Sequence, residues 1–140
     1  MLTLNKPGAQ FGKLKYVNAM TDVTGFGLLG HLCEMCEGSG LSAEINFSAV
    51  PCFEFLQEYI QQKSMPGGTQ RNWESYGSKI SSINEEQKSI LADPQTSGGL
   101  LVSVDADKKN EFEKFAASIN LELKSFGKLV GKQQRIVSVN

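Results

Sequence analysis

Residues 20–31 read MTDVTGFGLLGH: two threonines, one aspartate and three glycines lead directly into apolar residues at helical spacing. Leu28, Leu29, Leu32 and Met35/Cys36 recur with a 3.6-residue period, so Phe26 to about Glu37 reads as a helix. Thr24 reads as its N-cap, and the EGSG at 37–40 as its glycine stop. Upstream, residues 14–24 read as a short strand running into the Thr-Asp-Val-Thr turn. A strand, a tight turn and a helix in immediate succession commit the chain to layers of helix on sheet. Glycine weakens helices and aspartate weakens strands, so a segment with only a scaffolding role would not favour this mix.

The rest of the chain extends the same pattern. LSAEINF alternates, with Leu41, Ala43, Ile45 and Phe47 on one face of a half-buried strand. Pro51 suits the first turn of a second helix carrying Phe55, Leu56, Tyr59 and Ile60. Residues 63–79, KSMPGGTQRNWESYGSK, are rich in breakers and read as a long loop. NEEQKSILA reads as a short helix with Asn84 as cap and an acidic first turn. GGLLVSV (98–104) reads as a buried strand. DADKKNEFEKFAASIN follows as a capped helix with Phe112, Phe115, Ala116 and Ile119 inward. Two further strands are expected around 121–130 and 135–139, and residues 1–13, broken by Pro7, Gly8 and Gly12, read as a loose lead-in. The fold class expected is therefore α/β (α+β): a layered sandwich with one mixed sheet and helices upon it.

Composition removes several function classes. Fourteen Lys and Arg against fifteen Asp and Glu leave a net charge of −1, with no arginine cluster, so nucleic acid is not an expected partner. A 40% hydrophobic, 21% charged chain of 140 residues reads as one globular domain. No window approaches 18 apolar residues, so no membrane partner is expected. The first residues lack the apolar core and cleavage site of a signal peptide. Three cysteines without framework spacing fit a reducing, cytoplasmic setting.

The chemistry concentrates at Asp22. A helix N-terminus offers free N–H groups and partial positive charge, both suited to phosphate, and Gly25 and Gly27 let a ligand approach the backbone. Asp22 beside it is either a cap or turn residue, or a ligand holding Mg²⁺ against a phosphate chain. The turn has neither the Gly-Lys-Ser/Thr of a Walker A loop nor the Rossmann glycine spacing.

Other residues invite weaker readings. His31, Cys33, Cys36 and Cys52 suggest zinc, but His31 and Cys33 point about 200° apart on a helix and do not reach one tetrahedral ion. His31 reads as a hydrogen-bonded helix residue rather than a base, and Cys33 and Cys36 as core thiols. Asp93 to Gly99, DPQTSGG, combines turn chemistry with glycines that permit close approach, as a structural turn or as a contact to phosphate or a partner domain. Trp73 suits an interdomain anchor or a local lid equally.

TDVTGFGLLGH, PGGTQRN (66–72) and DPQTSGGLL (93–101), in that order and preceded by TLNK (3–6), resemble the C-terminal half of the selenophosphate synthetase family. The match spans nearly the whole chain, so the resemblance implies that residues 1–140 form the C-terminal domain. Its fold would be like the second domain of the superfamily that includes aminoimidazole ribonucleotide synthetase and thiamine-monophosphate kinase. The implied activity is formation of selenophosphate from selenide and ATP, with AMP and orthophosphate released. The resemblance implies Mg²⁺ at the ATP phosphates with Asp22 as one ligand, and Thr21, Thr24, Gly25 and Gly27 near those phosphates. It places the nucleophilic Cys or selenocysteine, a lysine and the other metal aspartates in an N-terminal domain, which would also hold most of the ATP. None of Cys33, Cys36 and Cys52 matches the nucleophile, so no catalytic residue is expected in this chain and the chain alone is expected to be inactive. The family dimerises at full length, mainly through that other domain. Two different readings share the motifs: a binding or regulatory module that kept the fold, and a sister ATP-dependent synthetase or kinase of the superfamily.

Overall fold

In the computed structural model, residues 4–140 are described; the first three residues of the lead-in, including Thr3 of TLNK, lie outside the described residues. Strand β1 (Val17–Asp22) pairs antiparallel with β3 (Leu100–Val104), placing Asp22 opposite Leu100. Helix α2 (Gly27–Ser39) follows β1 and leads into β2 (Leu41–Ile45). β2 is the middle of a second sheet, antiparallel to β4 (Gly127–Gly131) and parallel to β5 (Val137–Val139). The mixed sheet and the layered α/β class are as the sequence implies. The single sheet is not: alternation identifies strands but not their partners, and the five strands of the described residues divide into sheets of two and three.

α2 joins the two sheets. Its Leu29, Leu32, Cys33 and Cys36 share one core cluster with Val23 just past β1, Leu101 from the first sheet and Ala43, Ile45 and Val137 from the second. Each fully buried aliphatic side chain of this kind contributes about 1.5–3 kcal/mol. The helix stops at Gly40, whose N–H bonds back to the carbonyls of Cys36 and Glu37, as the EGSG stop predicts. Its start differs from expectation. The N-cap position is Phe26, with no side-chain capping bond, and the Thr24 hydroxyl is engaged with His31 instead.

The largest departure is at 63–79. Instead of a long loop, Gly67–Tyr76 form helix α4, with Pro66 extended at its N-cap. The buried positions are Thr69, Asn72 and Tyr76, with Trp73 half-buried beside them. That face has helical spacing but is largely polar, so hydrophobic periodicity carries no trace of it. Trp73 packs against the core, with the Lys88 ammonium 5.9 Å from its ring centroid, and Lys79–Glu37 ties the end of this region to α2 at 2.7 Å.

Helix α5 (Glu85–Leu91) has the expected Asn84 cap, completed as a capping box by Gln87. Pro51 lies outside any helix; α3 begins later, at Leu56–Gln61, and buries no residue fully. Phe53, Phe55 and Tyr59 there are exposed, with the Phe53 and Phe55 rings stacked at 5.2 Å. Asp105 does not cap a helix through its side chain; it accepts from Asn18 Nδ2 at 2.8 Å, and α6 (Lys109–Ser118) starts after a 3₁₀ turn. Phe112 and Ala116 face inward as predicted. Within the 1–13 lead-in, Gly8–Phe11 form one helical turn, α1. Phe11 is 2% exposed and packs on Phe112 with ring centroids 4.9 Å apart, so this part is anchored rather than loose.

Candidate phosphate-side turn

β1 carries the chain out of its sheet at Asp22, and the residues that follow form the turn into α2. Val23 points into the core at 6% exposure while Asp22, one pleat away, faces solvent. The Asp22 carboxylate has no hydrogen-bond or ion-pair partner among the described residues; the one side-chain contact at this residue is Thr21 Oγ1 donating to its main-chain carbonyl at 3.3 Å. A shallow depression beside it is lined by Asn5, Met20, Thr21, Asp22 and Leu100. This carboxylate is neither a cap nor an ion-pair member, so the fold does not use its charge.

The turn is held from behind by the other two motifs. Past the end of the β1–β3 ladder, Val23 N–H donates to Gly99 O at 2.9 Å, Gly98 N–H to Val23 O at 3.0 Å and Gln95 N–H to Thr24 O at 3.0 Å. Gly99 has φ +88°, a conformation that admits glycine readily and lets the chain fold back here. From α4, Asn72 Nδ2 donates to both Gly25 O and Ala92 O at 2.9 Å, and Tyr76 Oη donates to Phe26 O at 2.7 Å. DPQTSGG thus docks on the acidic turn, and Asn72 of PGGTQRN supplies the amide that joins the acidic turn to Ala92, just ahead of DPQTSGG. Burial pushes the Asp93 carboxyl up from its ordinary value, and Gln95 Nε2 donates to it.

Asn72 is a residue that the sequence reading missed. Asn72→Ala would leave two carbonyls, at least one of them buried, without a donor. At about 1–3 kcal/mol per stranded group, the expected loss is about 2–6 kcal/mol of unfolding free energy. Urea denaturation of the 140-residue chain measures it, and a change below about 0.5 kcal/mol would show that the bridge is dispensable.

The five residues expected at the phosphates do not share one environment. Asp22 and Gly25 are exposed, and a side chain at Gly25 would meet nothing within 4 Å. Thr21 and Thr24 are half-buried. Gly27 is buried: a Cβ there would stand 2.8 Å from Ala92 C and 2.9 Å from Asp93 O, so its smallness serves packing against 91–93. Thr24 Oγ1 lies 3.1 Å from His31 Nε2, and His31 Nδ1 lies 3.0 Å from Glu34 Oε2, which makes His31 a hydrogen-bonded helix residue as expected.

For metal chemistry, the donor set at the turn is one unpaired carboxylate beside hydroxyl and main-chain oxygens. That suits a hard cation such as Mg²⁺, which takes one or two protein carboxylates and draws its other ligands from phosphate and water. Cys33 and Cys36 are buried on α2 while Cys52 is exposed, and burial pushes the Cys33 thiol up to about 12. No group of three or more metal-ligating side chains gathers among the described residues. Among them, too, no helix is long and apolar enough to cross a membrane.

Comparison with known proteins supports the resemblance read from the motifs. The chain is 55% identical over 139 residues to the selenide, water dikinase of Pseudomonas putida, covering 99% of this chain and 40% of that protein. It is 52% identical over 139 residues to the selenide, water dikinase of Pseudomonas aeruginosa, with the same coverage of 99% and 40%. The chain thus spans about 40% of the length of these relatives. Among solved structures, thiamine-monophosphate kinase from Stenotrophomonas maltophilia superposes with a TM-score of 0.59 at 19% identity, covering 89% of this chain and 32% of that one; this shows a shared fold. The family described as "AIR synthase related protein, C-terminal domain" matches residues 4–140, and the chain belongs to that family.

Proposed function

We propose that this chain is the phosphate-side domain of a cytoplasmic, ATP-dependent enzyme that forms selenophosphate from selenide, with AMP and orthophosphate as the other products. The observation that carries the reading is the solvent-facing Asp22 carboxylate, unpaired among the described residues and held on a turn that three sequence motifs converge to fix. The main chain after Asp22 is fixed by these bonds while the carboxylate itself is left free, and a hard cation at a phosphate chain is a fitting occupant. In this reading Asp22 contributes one Mg²⁺ ligand. Thr21, Thr24 and the open Gly25 border the phosphates, while Gly27 sets the turn's height from beneath. Magnesium supplies charge neutralisation at the phosphates when bound. The nucleophile, most of the ATP contacts and the homodimer contacts belong to an N-terminal domain.

A chimera tests this. This chain replaces the matching stretch of the Pseudomonas putida relative, and AMP formation is followed with ATP, Mg²⁺ and selenide. Selenide-dependent AMP formation within about tenfold of the parent is expected, because the two sequences are 55% identical there. A folded chimera without activity would overturn the proposal. The 140-residue chain alone should release no AMP above a buffer control, since groups that act as a unit lose nearly all function when most are missing. Steady AMP formation by the chain alone would contradict the assignment of the nucleophile to another domain.

A further inference from the structure

Residues 53–59 carry three aromatic rings that the core does not use. Phe53 is 73% exposed, Phe55 58% and Tyr59 50%. The Phe53 and Phe55 rings are stacked at 5.2 Å, and Tyr59 meets Phe55 edge-on at 6.1 Å, so the three form one patch. Other residues attach α3 to the molecule: Leu56 and Ile60, one turn apart, are its half-buried positions. At about 150–250 Å² per aromatic side chain, the open part of the three rings amounts to about 300–450 Å². That is the size of the largest apolar patch on a typical monomer, and patches of this size often mark interaction sites.

The surroundings of the patch are acidic. Glu54 stands between the two stacked phenylalanines in sequence, and its carboxylate has no hydrogen-bond or ion-pair partner among the described residues. Glu58 receives only a long contact, from Gln62 Nε2 at 3.5 Å. Glu86 of α5 is held alongside by Gln57, whose amide donates to it at 2.6 Å. Between residues 53 and 63 the sequence offers one cation, Lys63. A second copy of this chain fits such a face poorly. The open rings reach about half of the ~800 Å² per partner that a stable interface buries, and a two-fold axis through them would bring like carboxylates together. Arginine fits both features, because its planar guanidinium stacks on aromatic rings and its fork pairs with a carboxylate.

We propose that the Phe53–Phe55–Tyr59 patch docks an arginine-bearing segment of another protein, with the rings as apolar anchors and Glu54 and Glu58 as charge partners. Asp22 and its turn play no part in this surface.

An acetylated Leu-Arg-Leu-Arg-Leu amide serves as the probe, titrated at low salt into the 140-residue chain while its aromatic ¹H–¹³C signals are followed. The ring signals of Phe53, Phe55 and Tyr59 should shift and saturate within the millimolar range. The lysine counterpart should bind several-fold more weakly, and the glutamate counterpart should leave the rings unmoved. Phe55→Ser should weaken binding about tenfold or more, as loss of an aromatic anchor does. Glu54→Gln should weaken it several-fold and flatten its dependence on salt. Both side chains are exposed, so neither substitution should lower the melting temperature. No shift at these rings, equal shifts from the glutamate peptide, or binding indifferent to both substitutions would overturn the proposal. Ring signals that move with chain concentration alone, and that the arginine peptide does not reverse, would assign the patch to a second copy and overturn it too. The same rings should respond in the chimera. Silence there would mean that the remainder of the enzyme covers the patch, and docking of a separate protein would be wrong.

Discussion

Asp22→Asn in the chimera should lower selenide-dependent AMP formation by about two orders of magnitude or more while leaving the fold nearly untouched. The two halves of this expectation come from one observation, the absence of any partner for the carboxylate among the described residues. Asparagine has the same shape, and the main-chain pairing of Asp22 with Leu100 does not involve the side chain. Asparagine also caps turns and helices about as well as aspartate, so a structural role predicts almost no phenotype. Unfolding free energy should change by no more than about 0.5 kcal/mol, the usual range for a surface substitution. The charge is what disappears. A hundredfold loss corresponds to about 2.7 kcal/mol of transition-state stabilisation, a magnitude that removal of one electrostatic support commonly produces. Raising Mg²⁺ should recover part of the rate, because a weakened site fills again by mass action. A variant with full activity and a lowered melting temperature would return Asp22 to a structural role.

How much of this was legible depends on which signal each element uses. α2, β2 and α6 carry apolar periodicity, α2 adds a glycine stop and α5 has an asparagine cap, and the sequence locates all four within a few residues. α4 fails that test for a physical reason. Its inward face is Thr69, Asn72 and Tyr76; Asn72 and Tyr76 are held there by hydrogen bonds to Gly25, Ala92 and Phe26 rather than by a continuous apolar stripe. The signal that could have found it lies in the uninterrupted TQRNWESY after Pro-Gly-Gly: eight residues without a breaker, beginning where proline and glycine are tolerated. The division into two sheets was not legible, because strand partners are set by long-range packing that a local pattern does not encode. At the site, the sequence singles out the acidic turn, but not what steadies it. Asn72 and Tyr76 are about fifty residues away, and His31 and Thr24 are joined by a geometry that needs the turn already folded.

Gly27→Ala separates the packing and ligand-cradling explanations of the turn's glycines, and it should be the most damaging single-methyl addition there. Gly27 has φ +69°, where an L-residue costs about 1–2 kcal/mol relative to glycine. The new methyl would also stand 2.8 Å from Ala92 C, 2.9 Å from Asp93 O and 3.0 Å from Leu91 O. These are backbone atoms, fixed by α5 and by the Asn72 bridge to Ala92, so no side chain can swing aside. Overpacking of this kind adds about 1–3 kcal/mol, which brings the expected cost to about 2–5 kcal/mol. Gly25 is the control, two residues away, with no positive φ and no atom within 4 Å of the place its methyl would occupy. Gly25→Ala should leave stability within about 0.5 kcal/mol. If Gly25 borders a phosphate, its alanine variant should instead raise the KM for ATP in the chimera without altering the melting temperature. Denaturant unfolding of the two variants side by side reads the difference. A Gly27→Ala chain as stable as its parent would mean that the 91–93 backbone can retreat, and that the turn is less firmly braced than the three converging motifs imply.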